Sequence, residues 1–158
     1  MSGAARELIR ALALSPHPEG GWYRELYRSS LKVQGPHGPR AALTTIYYLL
    51  EQPQVSRWHV VAADEIWHFY AGAALELITY EPQERLLKRH VLAAPAELAA
   101  PVAVVPAGVW QAARSLGQYS LVGCSVGPGF DFADFRFVAC LPGHEAHLTD
   151  LAAFRELL

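Results

Sequence analysis

The stretch SRWHVVAADEIWHFYAG, residues 56–72, carries the densest set of chemically active side chains in the sequence. It holds His59, Asp64, Glu65, His68 and the two tryptophans Trp58 and Trp67 within 17 residues. Imidazole and carboxylate groups that lie close together can bind a metal ion or share a proton. His59 and Glu65 are therefore the first candidates for a functional site.

Residues Glu65–Tyr70 predict a β-strand, because four of the six are aromatic or β-branched. Alternate side chains of a strand face the same side. Glu65 and Trp67 then share one face, whereas His68 lies on the other. Glu65 and His68 can both face a barrel interior only if a bulge shifts the strand between them.

Short predicted strands continue on both sides of this stretch, separated by turns rich in glycine and proline. The chain looks extended from Trp22, and the strand candidates are Ala42–Leu50, Arg57–Val61, Leu75–Tyr80, Leu86–Leu92, Val102–Val105, Tyr119–Ser125 and Phe135–Ala139. This spacing is typical of an antiparallel barrel or sandwich. Helical periodicity occurs at the two ends, in residues 3–14 and 144–158, and VQGPHGPR (33–40) predicts a loop.

The composition excludes several classes of protein. The 158 residues are 52% hydrophobic and 18% charged, below the usual charged share of about 25%. A disordered chain would be more polar, and a nucleic-acid-binding protein would show a basic stripe rather than a net charge of −2. Two cysteines are too few for a disulfide framework, and no apolar run is long enough to cross a membrane. We expect a cytoplasmic protein whose two thiols are free and buried.

The spacing around His59 resembles the first motif of the cupin superfamily, in which two histidines one residue apart precede a glutamate and a glycine. His59, Glu65 and Gly72 stand at three of these positions, and Val61 stands at that of the second histidine. The second cupin motif is a Pro-x-Gly turn followed by a histidine. Here the turn is Pro-Ala-Gly at residues 106–108, and Gln111 stands at the histidine position.

The wider pattern is similar to one small branch of cupins whose barrel is like that of sugar-nucleotide epimerases. The stretches that carry this resemblance are HPEGGWYRE (17–25), LTTIYYLL (43–50), WHVVAADEIWHFYAG (58–72), VPAGVWQAAR (105–114) and PGFDFADFRF (128–137). The resemblance implies an all-β fold: a single cupin jelly-roll barrel over residues 1–158, with short N- and C-terminal helices. It also implies a homodimer.

The same resemblance bears on metal binding, because metal-binding cupins supply three histidines and one glutamate. Val61 has no lone pair to offer, and Gln111 offers only an amide oxygen, a poor ligand for Zn²⁺ or Fe²⁺. We therefore expect no metal cofactor. A divalent metal, if bound, would be held by His59, Glu65 and Gln111. The alternative is that these three form a hydrogen-bonded polar cluster in the barrel mouth.

The resemblance implies a barrel that binds a small molecule, with a sugar, a nucleotide or a sugar nucleotide as the ligand class. A metal-independent isomerase or epimerase would use His59 as the base, with Glu65 or Asp64 orienting its ring. The acid would be one of four tyrosines: Tyr23, Tyr47, Tyr70 or Tyr80. Two other functions stay open, a non-catalytic binding or scaffold dimer and, with the least support, a metal-dependent oxygenase.

The residues expected to contact the ligand are Tyr23, Glu25, Tyr47, His59, Glu65, His68, Trp110 and Gln111. Two of the motifs allow two interpretations each. HPEGGWYRE either lines the mouth through His17, Glu19, Tyr23 and Glu25 or forms a tight turn that enters an edge strand. PGFDFADFRF either rims the cavity or plugs one end of the barrel with its aromatic rings.

Overall fold

The structure of the protein, a computed structural model, describes residues 3–158. The helix α1 (Gly3–Ala11) lies where the periodicity predicts it. The strands, in chain order, are β1 (Ser15–Pro16), β2 (Trp22–Arg28), β3 (Lys32–Gly35), β4 (Gly38–Ala41), β5 (Thr44–Glu51), β6 (Val55–Val61), β7 (Asp64–Gly72), β8 (Leu75–Glu81), β9 (Leu86–Leu92), β10 (Val102–Val105), β11 (Trp110–Ser115), β12 (Tyr119–Gly127) and β13 (Phe135–Phe137). Short 3-10 segments occupy Phe132–Asp134, Val138–Cys140, His144–His147 and Ala152–Leu157.

The strands form two large antiparallel sheets. The first has the order β1-β2-β5-β12-β7-β10, and the second has the order β13-β6-β11-β8-β9. Strands that are distant in sequence lie side by side, as β5 and β12 do, which is the pairing of a jelly roll. The predicted all-β jelly-roll barrel is confirmed.

The inner faces of the two sheets enclose the main core. Tyr48 and Trp67 from the first sheet pack with Leu75 and Leu77 from the second, and all four are at least 99% buried. Alternation along β8 points Leu77 inward and sends Ile78 to the outer face of its sheet. This packing fills one part of the barrel and leaves space around His59 and Glu65.

The two ends of the chain each cover part of the outer face of one sheet. Helix α1 packs on Leu49 and Leu121 of the first sheet. The C-terminal segment packs on the second sheet, where Phe154 joins a separate apolar cluster with Trp58 and Ile78. The Phe154 carbonyl also accepts a hydrogen bond from Trp58 Nε1 at 3.0 Å. Each outer face packs against an apolar segment of the chain. Strands of both sheets therefore carry apolar side chains on both of their faces.

Several local predictions need correction. The predicted loop at 33–40 is the hairpin β3–β4. The strand β11 was not predicted, because Gln-Ala-Ala-Arg has low β-propensity; it forms because it pairs with β6 on one side and β8 on the other. The C-terminal segment consists of 3-10 turns, and Phe154, at φ −134° and ψ 26°, interrupts any continuous helix.

Both cysteines are free thiols, as expected, but only Cys124 is buried, and Cys140 is exposed. Within residues 3–158, no helix has the length and apolar character needed to cross a membrane.

Candidate functional site

A cavity of about 250 Å³ lies inside the barrel, next to the core. Strands β2, β5, β7 and β12 of the first sheet and β6 of the second supply inward-facing side chains to its wall. Residues 130–132 complete the wall at the mouth. The size is slightly below the range of roughly 300–1,000 Å³ that is usual for small-molecule sites.

The turn between β1 and β2 places Glu19 in this wall. Gly20 has φ +113°, and a Cβ atom there would lie 2.1 Å from the carbonyl oxygen of Val55, so only glycine fits. The Tyr48 hydroxyl donates to the Gly20 carbonyl at 2.7 Å and holds the turn against the barrel. The Pro-Glu-Gly-Gly sequence is thus both a tight turn and part of the cavity wall.

His59 and Glu19 meet at the inner end of the cavity. His59 Nδ1 lies 2.8 Å from the carbonyl oxygen of Arg57, which can only accept, so Nδ1 carries a proton. Nε2 is therefore the nitrogen that faces the carboxylate, and it lies 3.4 Å from Glu19 Oε2. Ser56 donates to the other oxygen of Glu19 at 2.9 Å, and Phe135 stacks on the imidazole with ring centroids 5.1 Å apart.

A second histidine, His17, lies at the same end, and its ring has the opposite tautomer. The backbone N–H of Glu19 donates to His17 Nδ1 at 3.2 Å, so this nitrogen carries no proton and the ring is neutral. Burial, the largest cause, lowers the pKa of His17, which reinforces the neutral form. The ring edge contacts Tyr23, with centroids 4.6 Å apart.

Two consecutive hydrogen bonds, from residues outside the cavity wall, fix the position of Glu65. Trp67 Nε1 donates to the amide oxygen of Gln111 at 2.9 Å, and the amide nitrogen of Gln111 donates to Glu65 Oε2 at 2.6 Å. An indole nitrogen can only donate, so the orientation of the Gln111 amide is fixed. Burial is the main cause that raises the pKa of Glu65, and it also raises that of the adjacent Cys124 thiol well above its ordinary value.

The segment 128–137 rims the cavity mouth, which agrees with one of its two sequence-based interpretations. Arg28 donates to the Phe130 carbonyl at 3.0 Å and to both oxygens of Glu25 at 3.0 and 2.7 Å. Further along the segment, Asp134 accepts two hydrogen bonds from Arg40 at 2.7 and 2.9 Å. The first residue of the segment follows a cis peptide bond, between Gly127 and Pro128.

Four of the sequence-predicted site residues line the cavity: Tyr23, Glu25, His59 and Glu65. Gln111 does not line it but lies directly behind Glu65. His68 lies on the outer face of the first sheet, as strand alternation predicts, because the register shift in β7 comes after it. Tyr47 is on the same outer face, edge-on to Tyr70 at 6.0 Å.

Trp110 faces outward from the second sheet, where it packs with Tyr80 and His147, so it is part of the support for the C-terminal segment rather than of the cavity. Of the four candidate acids, Tyr23 is the one that lines the cavity. Asp64 is exposed and accepts a hydrogen bond from the backbone N–H of Ala107 at 2.9 Å, so it does not orient His59.

Sequence reasoning missed two features of the wall. Tyr48, rather than its neighbour Tyr47, faces inward, and no pattern of β5 distinguishes them because both of its faces are apolar. The contact between Glu19 and His59 joins residues forty positions apart and depends on how the glycine turn folds against β6. The signal for Glu19 was its place before two consecutive glycines.

The residues at the cupin metal positions do not fit a metal centre. The amide oxygen of Gln111, its only good donor to a metal, is already taken by Trp67. Val61 lines the cavity without a donor atom. Among residues 3–158, no group of three or more His, Cys, Asp or Glu side chains is arranged to hold a metal ion.

The family follows from a sequence comparison. The family described as "Cupin superfamily (DUF985)" matches residues 6–138. The protein is a cupin of the DUF985 family. Comparison with curated proteins gave no match.

Two solved structures resemble this cupin along nearly its whole length. A hypothetical protein from Leishmania major is 34% identical, with a TM-score of 0.80, and the match covers 92% of this chain and 96% of that one. A protein from Shewanella oneidensis is 35% identical, with a TM-score of 0.83, and the match covers 100% and 98% of the two chains.

A dTDP sugar isomerase from Desulfovibrio desulfuricans is 11% identical, with a TM-score of 0.54 over 73% of this cupin and 82% of that chain. At this low identity the likeness concerns the fold.

Proposed function

We propose that this cupin binds a small polar ligand of the sugar type in its barrel cavity and isomerises it by proton transfer without a metal. The observation that carries the proposal is the pair of His59 and Glu19, with Nε2 and Oε2 3.4 Å apart at the inner end of the cavity. The remaining wall supplies groups that can hold and protonate such a ligand.

His59 is suited to be the base because its tautomer is defined: Nε2, the nitrogen that faces Glu19, carries no proton when the ring is neutral. With Nδ1 bonded to the Arg57 carbonyl, Nε2 takes the proton from a carbon next to a carbonyl group of the ligand. The electron pair of the broken C–H bond moves into the carbonyl and gives an enolate. Glu19 stabilises the imidazolium that results, because opposite charges then lie in contact.

Tyr23 is suited to be the acid, because it stands on the first sheet while His59 stands on the second. A ligand between the sheets would lose its proton to His59 on one side and gain one from Tyr23 on the other. Delivery to the opposite face of the enolate carbon would invert that centre, which is an epimerisation. Glu65 then accepts hydrogen bonds from the ligand rather than moving protons.

The test is a binding screen followed by isotope exchange. Sugars, nucleotides and sugar nucleotides are screened by thermal shift, and each binding carbonyl compound is then incubated with the protein in D₂O. We expect ¹H NMR to show loss of one C–H signal, with the rate reduced roughly 100-fold or more in His59→Gln, since general acid–base groups contribute about 10²–10⁴-fold. Tyr23→Phe should slow the exchange as well.

The matched control is His68→Gln, which changes a histidine on the outer face of the first sheet and should leave exchange unchanged. Equal exchange in wild type and His59→Gln would refute the proposed base. A ligand that binds and requires His59 but shows no exchange would instead support the second candidate, a non-catalytic binding protein.

A further inference from the structure

The charged side chains that line the cavity are mostly negative. Four carboxylates and one arginine belong to the wall: Glu19, Glu25, Glu65, Asp131 and Arg28. Arg28 is already matched, because it donates to both carboxylate oxygens of Glu25. An incoming anion would therefore compete with Glu25 for the single arginine and would face the other carboxylates.

The two deepest carboxylates lack a full counter-charge. Glu19 and Glu65 are 7% and 8% exposed, and neither forms an ion pair with a lysine or arginine of residues 3–158. His17 is neutral, because its Nδ1 accepts the Glu19 N–H. His59 is the remaining group that can become positive, and it lies against Glu19.

Of these two carboxylates, Glu65 is the one that forms no ion pair with His59 or with any other cationic side chain of residues 3–158. Gln111 donates to one of its oxygens, Oε2, and this amide carries no charge. A buried carboxylate without a partner is unfavourable when ionised, and the position of Glu65 in the cavity wall leaves the ligand as the source of a partner. An ammonium group would supply both the charge and the hydrogen-bond donors.

The aromatic part of the wall favours the same kind of ligand. Tyr23, Phe130 and Phe132 line the cavity, and the faces of aromatic rings attract cations. The volume of about 250 Å³ suits a single sugar ring better than a nucleotide. Negative charge, aromatic walls and small volume together describe a site for a compact polar amine.

We infer that the ligand of this cavity carries a protonated amine that pairs with Glu65, as an amino sugar does, and that phosphorylated ligands are rejected. The inference rests on the proposed function in one respect, since it concerns the ligand of the same cavity. The sequence predicts a sugar, a nucleotide or a sugar nucleotide as the ligand. This inference keeps only the sugars, because nucleotides and sugar nucleotides carry phosphate groups.

The test uses three probes that differ in one group: D-glucosamine, D-glucose and D-glucose 6-phosphate. Binding is followed by NMR through the Trp67 indole N–H, which is joined to Glu65 through Gln111. We expect glucosamine to bind about 10-fold or more tightly than glucose, because its ammonium group adds one charge-assisted hydrogen bond. Glucose 6-phosphate should cause no saturable change in the chemical shift of the Trp67 indole N–H. The variant Glu65→Gln should reduce the preference for glucosamine to about twofold or less.

The matched control is Glu84→Gln, which removes an exposed carboxylate outside the cavity and should keep the preference. Equal or tighter binding of glucose or of its phosphate would overturn the inference, and so would a preference that survives Glu65→Gln. Absence of saturable glucosamine binding up to about 50 mM, a very weak affinity, would also overturn it. If glucose binds as tightly as glucosamine and this binding is lost in His59→Gln, the inference about the amine fails but the proposed function does not.

Discussion

Glu65, the carboxyl group that we propose binds the ligand, lowers the stability of the folded protein when it is ionised. Its carboxylate lies buried between Gln111 and Cys124. Because burial raises its pKa, the protonated form is favoured in the folded state relative to the unfolded chain. Glu65 therefore contributes stability at low pH, and this contribution is lost as pH rises through the raised pKa.

The variant Glu65→Gln should consequently gain stability over wild type as pH increases. Glutamine keeps an oxygen that can accept from Gln111 Nε2, so the hydrogen bond survives the substitution. Urea unfolding of both proteins between pH 4 and pH 8 measures the difference, with Glu84→Gln as the control. A difference that does not change with pH would contradict the assignment of Glu65 as a carboxyl with a raised pKa.

The C-terminal segment acts at the scale of an element, because it covers the outer face of the second sheet. Phe154 is 5% exposed, packs in the cluster with Trp58 and Tyr80, and lies under the guanidinium groups of Arg89 and Arg114, each 5.7 Å from its ring. Phe154→Ala should therefore lower the free energy of unfolding by about 3–5 kcal/mol.

Arg155→Ala, next to it and exposed, should change stability by less than about 0.5 kcal/mol. Chemical denaturation with a fluorescence readout measures both variants. A small effect of Phe154→Ala would mean that the segment rests on the sheet without stabilising it.

The hairpin β3–β4 is attached to the cavity rim by a charged contact. Asp134 accepts from Arg40 and lies 2.8 Å from His37 Nδ1, and the hydrogen bond from Arg40 is the main cause that lowers its pKa. A lowered carboxyl pKa stabilises the fold above the ordinary value of 3.8 and ceases to do so as pH falls through the folded-state value.

Asp134→Asn should therefore be less stable than wild type at pH 7, and the two proteins should converge as pH falls below about 4. Urea midpoints measured from pH 7 down to pH 3 follow this convergence. Parallel curves over that range would show that the contact does not depend on the charge of Asp134.

The sequence predicts the parts of this fold that follow from alternation and turns. The opposite orientations of Glu65 and His68 follow from the alternation of side chains along a strand. The turn at Gly20 and Gly21 is predicted because glycine readily adopts the positive φ angles that tight turns require. Strand β11 is not predicted from the sequence, because its alanines have low β-propensity. The strand forms because it pairs with β6 on one side and β8 on the other. The partnership of Glu19 with His59 is not predicted either, because it depends on a fold that joins distant parts of the chain.

At the scale of the whole molecule, one outer face remains partly uncovered. Helix α1 covers one end of the first sheet, whereas Tyr70, Val102 and Val104 on the same sheet are 49, 46 and 56% exposed. Together with the low charge of the sequence, this apolar surface supports our proposal of a homodimer. We expect sedimentation at micromolar concentration to give twice the chain mass of 17.4 kDa.

If the uncovered face is the contact, Val104→Lys should shift the protein toward the monomer. The control is Leu98→Lys, at a residue 87% exposed and outside the strands of that sheet. A wild-type protein that sediments as a clean monomer would count against the dimer.

The hydrogen bond between Trp67 and Gln111 gives the barrel a built-in optical reporter. Of the four tryptophans, Trp22, Trp58 and Trp110 pack on the outer faces of the sheets, and Trp67 lies in the inner core. Its indole is joined through the Gln111 amide to Glu65, the carboxyl group that we propose pairs with the ligand. The emission spectrum of a protein that retains Trp67 and replaces the other three with phenylalanine would therefore register ligand entry and the protonation of Glu65 without any added dye.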